Sequence, residues 1–171
     1  MITLYHSSDK GYSQKDYENS IDSCNLHRIP CSCKMKGHFI KHGYYSRSVK
    51  TPDGYIPLSI LRVRCKHCGR THAILPSFVV PYSRHLLSDH IKIAKSNHRL
   101  ESYQYIMDDN PYIEPSNITY IRKRFRKHWK ERLISIQLSL ERPTATIIQS
   151  CFLSFSSQFM QIRKGWNVLY D

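Results

Sequence analysis

The stretch RVRCKHCGRTHAILP, residues 62–76, sets the terms for reading this chain. Cys65 and Cys68 stand in C-x-x-C spacing, followed by Gly69 and flanked by Arg64, Lys66 and Arg70. A turn of that spacing brings two thiols to one point, and the glycine lets the chain fold back over whatever is held there. The surrounding cations favour the thiolate, which is the form a metal binds. The stretch therefore reads as half of a tetrahedral metal site. A thioredoxin-like redox pair would need a βαβ context, and the flanking sequence offers none.

The matching half is PCSCK, residues 30–34, with Cys31 and Cys33 in the tighter C-x-C spacing. In a fully extended strand those two side chains would point to opposite faces. Both reach one metal only if the chain bends, which Pro30 favours. The sequence between the two pairs has the length and composition of a β-hairpin. HFIKHGYYSRSVK (38–50) is aromatic and β-branched, TPDG (51–54) is a turn signal, and YIPLSILRVRC (55–65) alternates apolar positions. Alternation slips by one at Ile60–Leu61, which a β-bulge or burial on both faces would explain. Two loops holding one metal with a hairpin between them is a zinc-ribbon arrangement, with Cys31, Cys33, Cys65 and Cys68 as ligands and zinc as the metal. Cys24 or His38 could stand in for one of them. His42, His67 and His72 lie close by, and each reads first as an ordinary hydrogen-bonded residue. The remaining cysteine, Cys151, sits on an apolar helical stripe and reads as core.

Before this segment, a short strand at Ile2–Tyr5 leads into a polar stretch, residues 6–23, that reads as a loosely packed arm. Beyond PYS (81–83) the apolar period changes from 2 to 3.6. LLSDHIKIAKSN (86–97) and RLESYQYIMDDN (99–110) read as two short helices. After NPYIEPS, with Ser116 as an N-cap candidate, Ile118, Ile121, Phe125, Trp129, Leu133, Ile136 and Leu140 recur on one stripe. Unbroken to Leu140, that helix would run about 36 Å. A last helix is expected over 144–162 and a docked tail over 165–171. The expected class is α+β: a polar arm (1–23), a zinc-ribbon β domain (24–83), a helix-turn-helix-like domain (84–142), and a C-terminal helix and tail (143–171).

Residues 116–132, SNITYIRKRFRKHWKER, hold seven Arg or Lys against one Glu. With the apolar stripe turned inward, a helical wheel places Tyr120, Lys123, Arg124, Lys127 and Lys130 on the outward arc, with Arg126 at its edge. Three helices ending in a basic one meet the requirement of a helix-turn-helix unit, whose last helix enters the major groove. Asn117, Thr119, Tyr120 and Lys123 become candidates for base contacts. Arg124, Arg126, Lys127 and Lys130 become candidates for phosphate contacts. The plain alternative is a solvated cationic face, but surfaces built for solubility mix both signs. Ile134 and Leu138 fall on the outward side, where they would meet the C-terminal helix or another copy of the chain.

The whole chain supports this direction. Its 171 residues carry a formal charge of +13 with a pI of about 9.6, which favours a polyanionic partner, nucleic acid before membrane. No apolar run approaches a membrane span, and the first residues do not have the pattern of a secretory signal. The expected compartment is the cytoplasm, where closely spaced cysteines are more often ligands than disulfides. Aromatic Phe39, Tyr44 and Tyr45 could stack bases, though hairpin core is the simpler role.

The segments PCSC, HGYYSRSV, RVRCKHCGRTHAILPSFVVPYS, SNITYIRKRFRKHWKERL and QFMQI together resemble an uncharacterised bacterial family of mobile-element-associated proteins, a domain of unknown function. In architecture the chain also resembles the N-terminal zinc-ribbon and helix-turn-helix part of insertion-sequence transposases. The resemblance implies duplex-DNA binding tied to a mobile element, with a transposase or other protein as possible partner. A nuclease domain would require separated carboxylates for two metal ions. The acidic residues here cluster at 9–22 and 101–114 without such a pattern. Binding without catalysis is therefore expected. A transposase fragment or small nuclease acting with a partner, and a zinc-ribbon adaptor that binds protein or RNA, are the alternatives.

Overall fold

A computed structural model describes residues 1–5, 13–98, 102–162 and 166–169. The class is α+β, as expected. Strands β1 (Ile2–Tyr5), β2 (Phe39–Thr51), β3 (Gly54–Cys65), β4 (Thr71–Pro76) and β5 (Trp166–Leu169) form one sheet in the order β2-β3-β4-β1-β5. β2 and β3 pair antiparallel from Phe39↔Cys65 to Thr51↔Gly54 across the Pro52–Asp53 turn, and Gly54 takes the positive φ the turn needs. β4 runs antiparallel to β3, while β1 lies parallel to both β4 and β5.

The slip at Ile60–Leu61 has its cause in two places. Both residues are fully buried, so β3 is covered on both faces there. The register shift itself lies on β2, between Lys41 and Gly43, with Gly43 at φ 115°. β3 pairs with β4 only at Arg62–Arg64. Where the two strands part, the Tyr17 hydroxyl bridges them: it accepts from Leu61 N–H at 2.8 Å and donates to the Ile74 carbonyl at 2.9 Å. Two buried backbone groups that the ladder leaves open are thereby satisfied.

Tyr17 belongs to helix α1 (Gln14–Asp22), which corrects the expectation of a loose arm within residues 13–22. Ser13 and Asp16 form a reciprocal capping box, and Tyr17 and Ile21, four residues apart, give the helix a buried face. The remainder of the expected arm, 6–12, lies outside the described residues. The residues expected as a docked tail include β5, which extends the sheet beside β1.

Helices α2 (Leu87–His98), α3 (Tyr103–Asp109), α4 (Pro115–His128), α5 (Lys130–Ser135) and α6 (Thr144–Phe155) build the second half. One hydrophobic cluster centres on the sheet, and another centres on these helices around Trp129, Phe125 and Ile147. Three further expectations need correcting. α4 starts with Pro115 at its first turn and Glu114 as N-cap, so Ser116 lies inside the helix. The stripe from Ile118 to Leu140 is not one helix, because Trp129 leaves helical geometry at φ −125° and Gln137 takes φ 53°. Trp129 is fully buried, donates Nε1–H to the Gln161 carbonyl at 3.1 Å and meets Phe155 and Phe159 edge-on. α6 stops at Phe155, where Ser156 takes a left-handed cap. No described helix is long and apolar enough to cross a membrane.

Candidate functional site

Two turns, each built by a short cysteine segment, face one another. In the first, Lys34 N–H donates to the Cys31 carbonyl (2.8 Å) and Cys31 N–H to the Met35 carbonyl (2.9 Å). The second has Gly69 N–H donating to the Cys65 carbonyl and Cys65 N–H to the Arg70 carbonyl, both at 2.9 Å. The residue after the second cysteine turns left-handed in each, Lys34 at φ 70° and Gly69 at φ 72°. The C-x-C segment thus makes the same closure as C-x-x-C with one residue fewer. Arg70 ties the turns together by donating Nη1–H to the Ser32 hydroxyl at 3.1 Å.

The sulfurs of Cys31, Cys33, Cys65 and Cys68 all lie within 4.8 Å of one another. Cys31–Cys68 is 3.5 Å and Cys33–Cys65 3.9 Å. A tetrahedron with metal–sulfur bonds of about 2.3 Å has edges of about 3.8 Å, so the four thiols have the dimensions of a tetrahedral metal site. A disulfide needs about 2.05 Å, and all four cysteines are free. Among the described residues, this is the one group of three or more His, Cys, Asp or Glu side chains that converges so closely.

Electrostatics points the same way. Burial pushes the Cys31 thiol up, but the Cys33 N–H and the neighbouring Cys68, Cys33 and Ser32 groups outweigh it and bring it down to about 7. At Cys68 the Arg70 N–H pulls down, yet burial and the three other thiols prevail and push it up to about 11. Four sulfurs at this spacing resist becoming four thiolates unless a cation joins them.

Neither Cys24 nor His38 belongs to the cluster. Cys24 is core, and the His38 ring packs against His67 with 6.2 Å between centroids. Of the histidines that the sequence places nearby, His72 does lie against the cluster. His72, on the inward-facing side of β4, places Nε2 3.4 Å from the Cys31 sulfur and is 6 % exposed. The alternation of His72 with Ile74 carried that signal. Of the aromatic strand residues, Phe39 is buried, Tyr45 half-buried and Tyr44 exposed.

On α4, Ile118, Ile121 and Phe125 face inward, whereas Thr119, Tyr120, Lys123, Arg126 and Lys127 are exposed, as is Lys130 at the start of α5. Asn117 is half-buried. Thr119 meets the Tyr103 hydroxyl at 3.0 Å, and Arg122 reaches Ser96 on α2 at 3.1 Å. Arg124 departs from the expected outward arc. It is 4 % exposed, donates to the Pro81 carbonyl at 3.3 Å and to the Tyr120 hydroxyl at 3.2 Å, and so braces the turn between sheet and helices. Arg47, from β2, braces the same turn through the Val80 carbonyl (2.7 Å) and the Ser83 carbonyl.

Residues 29–110 match the family model described as a domain of unknown function (DUF6431). The matched segment holds all four clustered cysteines, β2 to β4, α2 and α3, and it stops before the basic face of α4. That description assigns the domain no activity, and nothing in it points to catalysis. No curated protein and no solved structure matches the chain.

Proposed function

We propose that this protein binds duplex DNA through α4, held on a zinc-stapled β-sheet, as an accessory factor or regulator of a mobile element. In this reading α2, α3 and α4 form a helix-turn-helix unit and α4 lies in the major groove. One observation carries it: Lys123, Arg126, Lys127 and Lys130 are all exposed, and among the described residues none is in an ion pair. A row of unneutralised cations on a chain of charge +13 suits phosphate contact better than it suits solubility. Tyr120 and Asn117, near the start of α4, are the groups for base contact. Arg124 is withdrawn from the interface because its guanidinium is spent on Pro81.

Zinc is the metal proposed. An all-sulfur tetrahedral set fits zinc or iron, and zinc supplies the fold-stapling charge with no redox chemistry. Lys34, Lys36, Lys66 and Arg70, exposed around the cluster, offset the negative charge of four thiolates.

The test is fluorescence anisotropy with a labelled duplex at several salt concentrations. Affinity should fall steeply with salt. Lys127→Glu should weaken binding and make the log–log salt slope shallower by roughly 0.9, the increment for one neutralised phosphate. Absence of duplex binding at low salt would overturn the reading, and stronger competition by RNA than by DNA would redirect it to an RNA adaptor. Native mass spectrometry tests the staple separately. One zinc per chain is expected, and Cys65→Ser should lose both the metal and the sheet's cooperative melting.

A further inference from the structure

Three elements meet in a cleft of about 410 Å³ beside the start of α4. The end of the β2–β3 pair contributes Lys50 and Tyr55, the turn at 82–85 contributes Tyr82, Arg84 and His85, and α4 contributes Asn117 and Tyr120. From these observations we infer that the cleft receives an unpaired nucleobase of the bound DNA, stacked on tyrosine.

The walls are aromatic and presented to solvent: Tyr55 is 59 %, Tyr82 67 % and Tyr120 48 % exposed. Three large exposed tyrosines around one concavity are the composition of a base-stacking site. Their placement is rigid. Tyr82 sits at φ 61°, a left-handed conformation that is unfavourable for a residue with Cβ and that glycine would take freely. The structure nevertheless enforces it, because Arg47 and Arg124 hold the carbonyls of residues 80, 81 and 83, and the His90 ring holds the Ser83 hydroxyl at 2.8 Å. Strain maintained by so many partners is where function is to be sought. Lys50 N–H donates to the Arg84 carbonyl at 2.7 Å and pins the strand end to this turn. Arg124 fixes Tyr120 from behind, with its guanidinium 5.9 Å from the ring centroid.

Charge separates a base from a phosphate as the occupant. Lys50 is paired with Glu114 at 3.2 Å, which leaves Arg84 as the one cation of the cleft without a carboxylate partner among the described residues. The phosphate-binding row lies outside, from Lys123 onward. Inside, the group that reads a base edge is the Asn117 amide, with two donors and an acceptor, which rests on the buried His85 ring.

This inference rests on the DNA-binding reading, and the experiment separates the two. Three labelled probes are compared by anisotropy: a blunt duplex, the same duplex with a short single-stranded extension, and that duplex with an abasic extension carrying the same phosphates. The base-bearing extension should bind about tenfold tighter than the abasic one. Tyr82→Ala and, on an exposed strand position, Tyr55→Ala should abolish that preference and leave blunt-duplex affinity unchanged. Equal affinity for the base-bearing and abasic extensions, or a preference intact in both variants, would overturn the inference while the duplex reading stands. No binding to any probe would overturn both.

Discussion

Lys34 shows how one residue can record a compromise. The tight C-x-C turn closes only if the residue after Cys33 is left-handed, and the chain places a lysine there where the companion turn has Gly69. The lysine keeps a cation near the thiolates and accepts a conformational cost. Lys34→Gly should therefore raise stability, by on the order of 1 kcal/mol once glycine's own entropy is counted, without releasing the metal. Paired thermal melts and native mass spectra check both halves, and release of the metal would show the lysine's charge to matter more than its strain. The four cysteines were legible because spacing is local chemistry. Arg124 was not, because a helical wheel measures the angle from a stripe and knows nothing of a carbonyl at Pro81. His72 lay between these cases, named as a neighbour and ranked below His38.

Among the elements, the turn from Val80 to Ser83 couples the two cores, and its support is titratable. Burial drives His90 well below its usual 6.5, with Arg124 and His85 adding repulsion. His85 shifts the same way by burial and Lys50, against Asp89 and Asn117. As pH falls below about 6.5, the unfolded chain takes up protons that these buried rings refuse. Their stabilisation is thus complete above that value and lost below it. Burial raises the Asp89 carboxyl, despite Tyr112 and the Leu86 N–H, so its contribution is complete below 3.8 and fades as pH rises. Urea unfolding from pH 5 to 7.5 should show stability falling toward acid, and His90→Gln should flatten that slope. An unchanged slope would remove His90 from the account. At this scale the sequence misled where a pattern ran on through a break: the apolar stripe keeps its phase across Trp129, although burial of the indole bends the chain there. It also understated α1, which needs only Tyr17, Ile21 and a cap.

The whole molecule joins segments that lie far apart in sequence, and this was the least legible level. Apolar period and charge foresaw an α+β chain with a basic helix, but no local signal tells β1 that its neighbours are β4 and β5. Short strands of four residues carry too little pattern to specify partners. If β5 closes the sheet, removing the residues after Ile162 turns β1 into an edge. Hydrogen exchange should then lose protection across Ile2–Tyr5 and leave α4 unchanged. Equal protection in the full and shortened chains would show that β5 contributes little to the sheet.

That pairing also bears on synthesis. Trp166 emerges from the ribosome roughly 160 residues after its partner Ile2. Until then β1 has an open hydrogen-bonding flank, a template for the wrong strand. The cysteine turns and the helices can form in the order in which they are translated. β1 gains its second partner only once β5 has been made, so among the described strands it is the one that most needs shielding by chaperones while the chain grows.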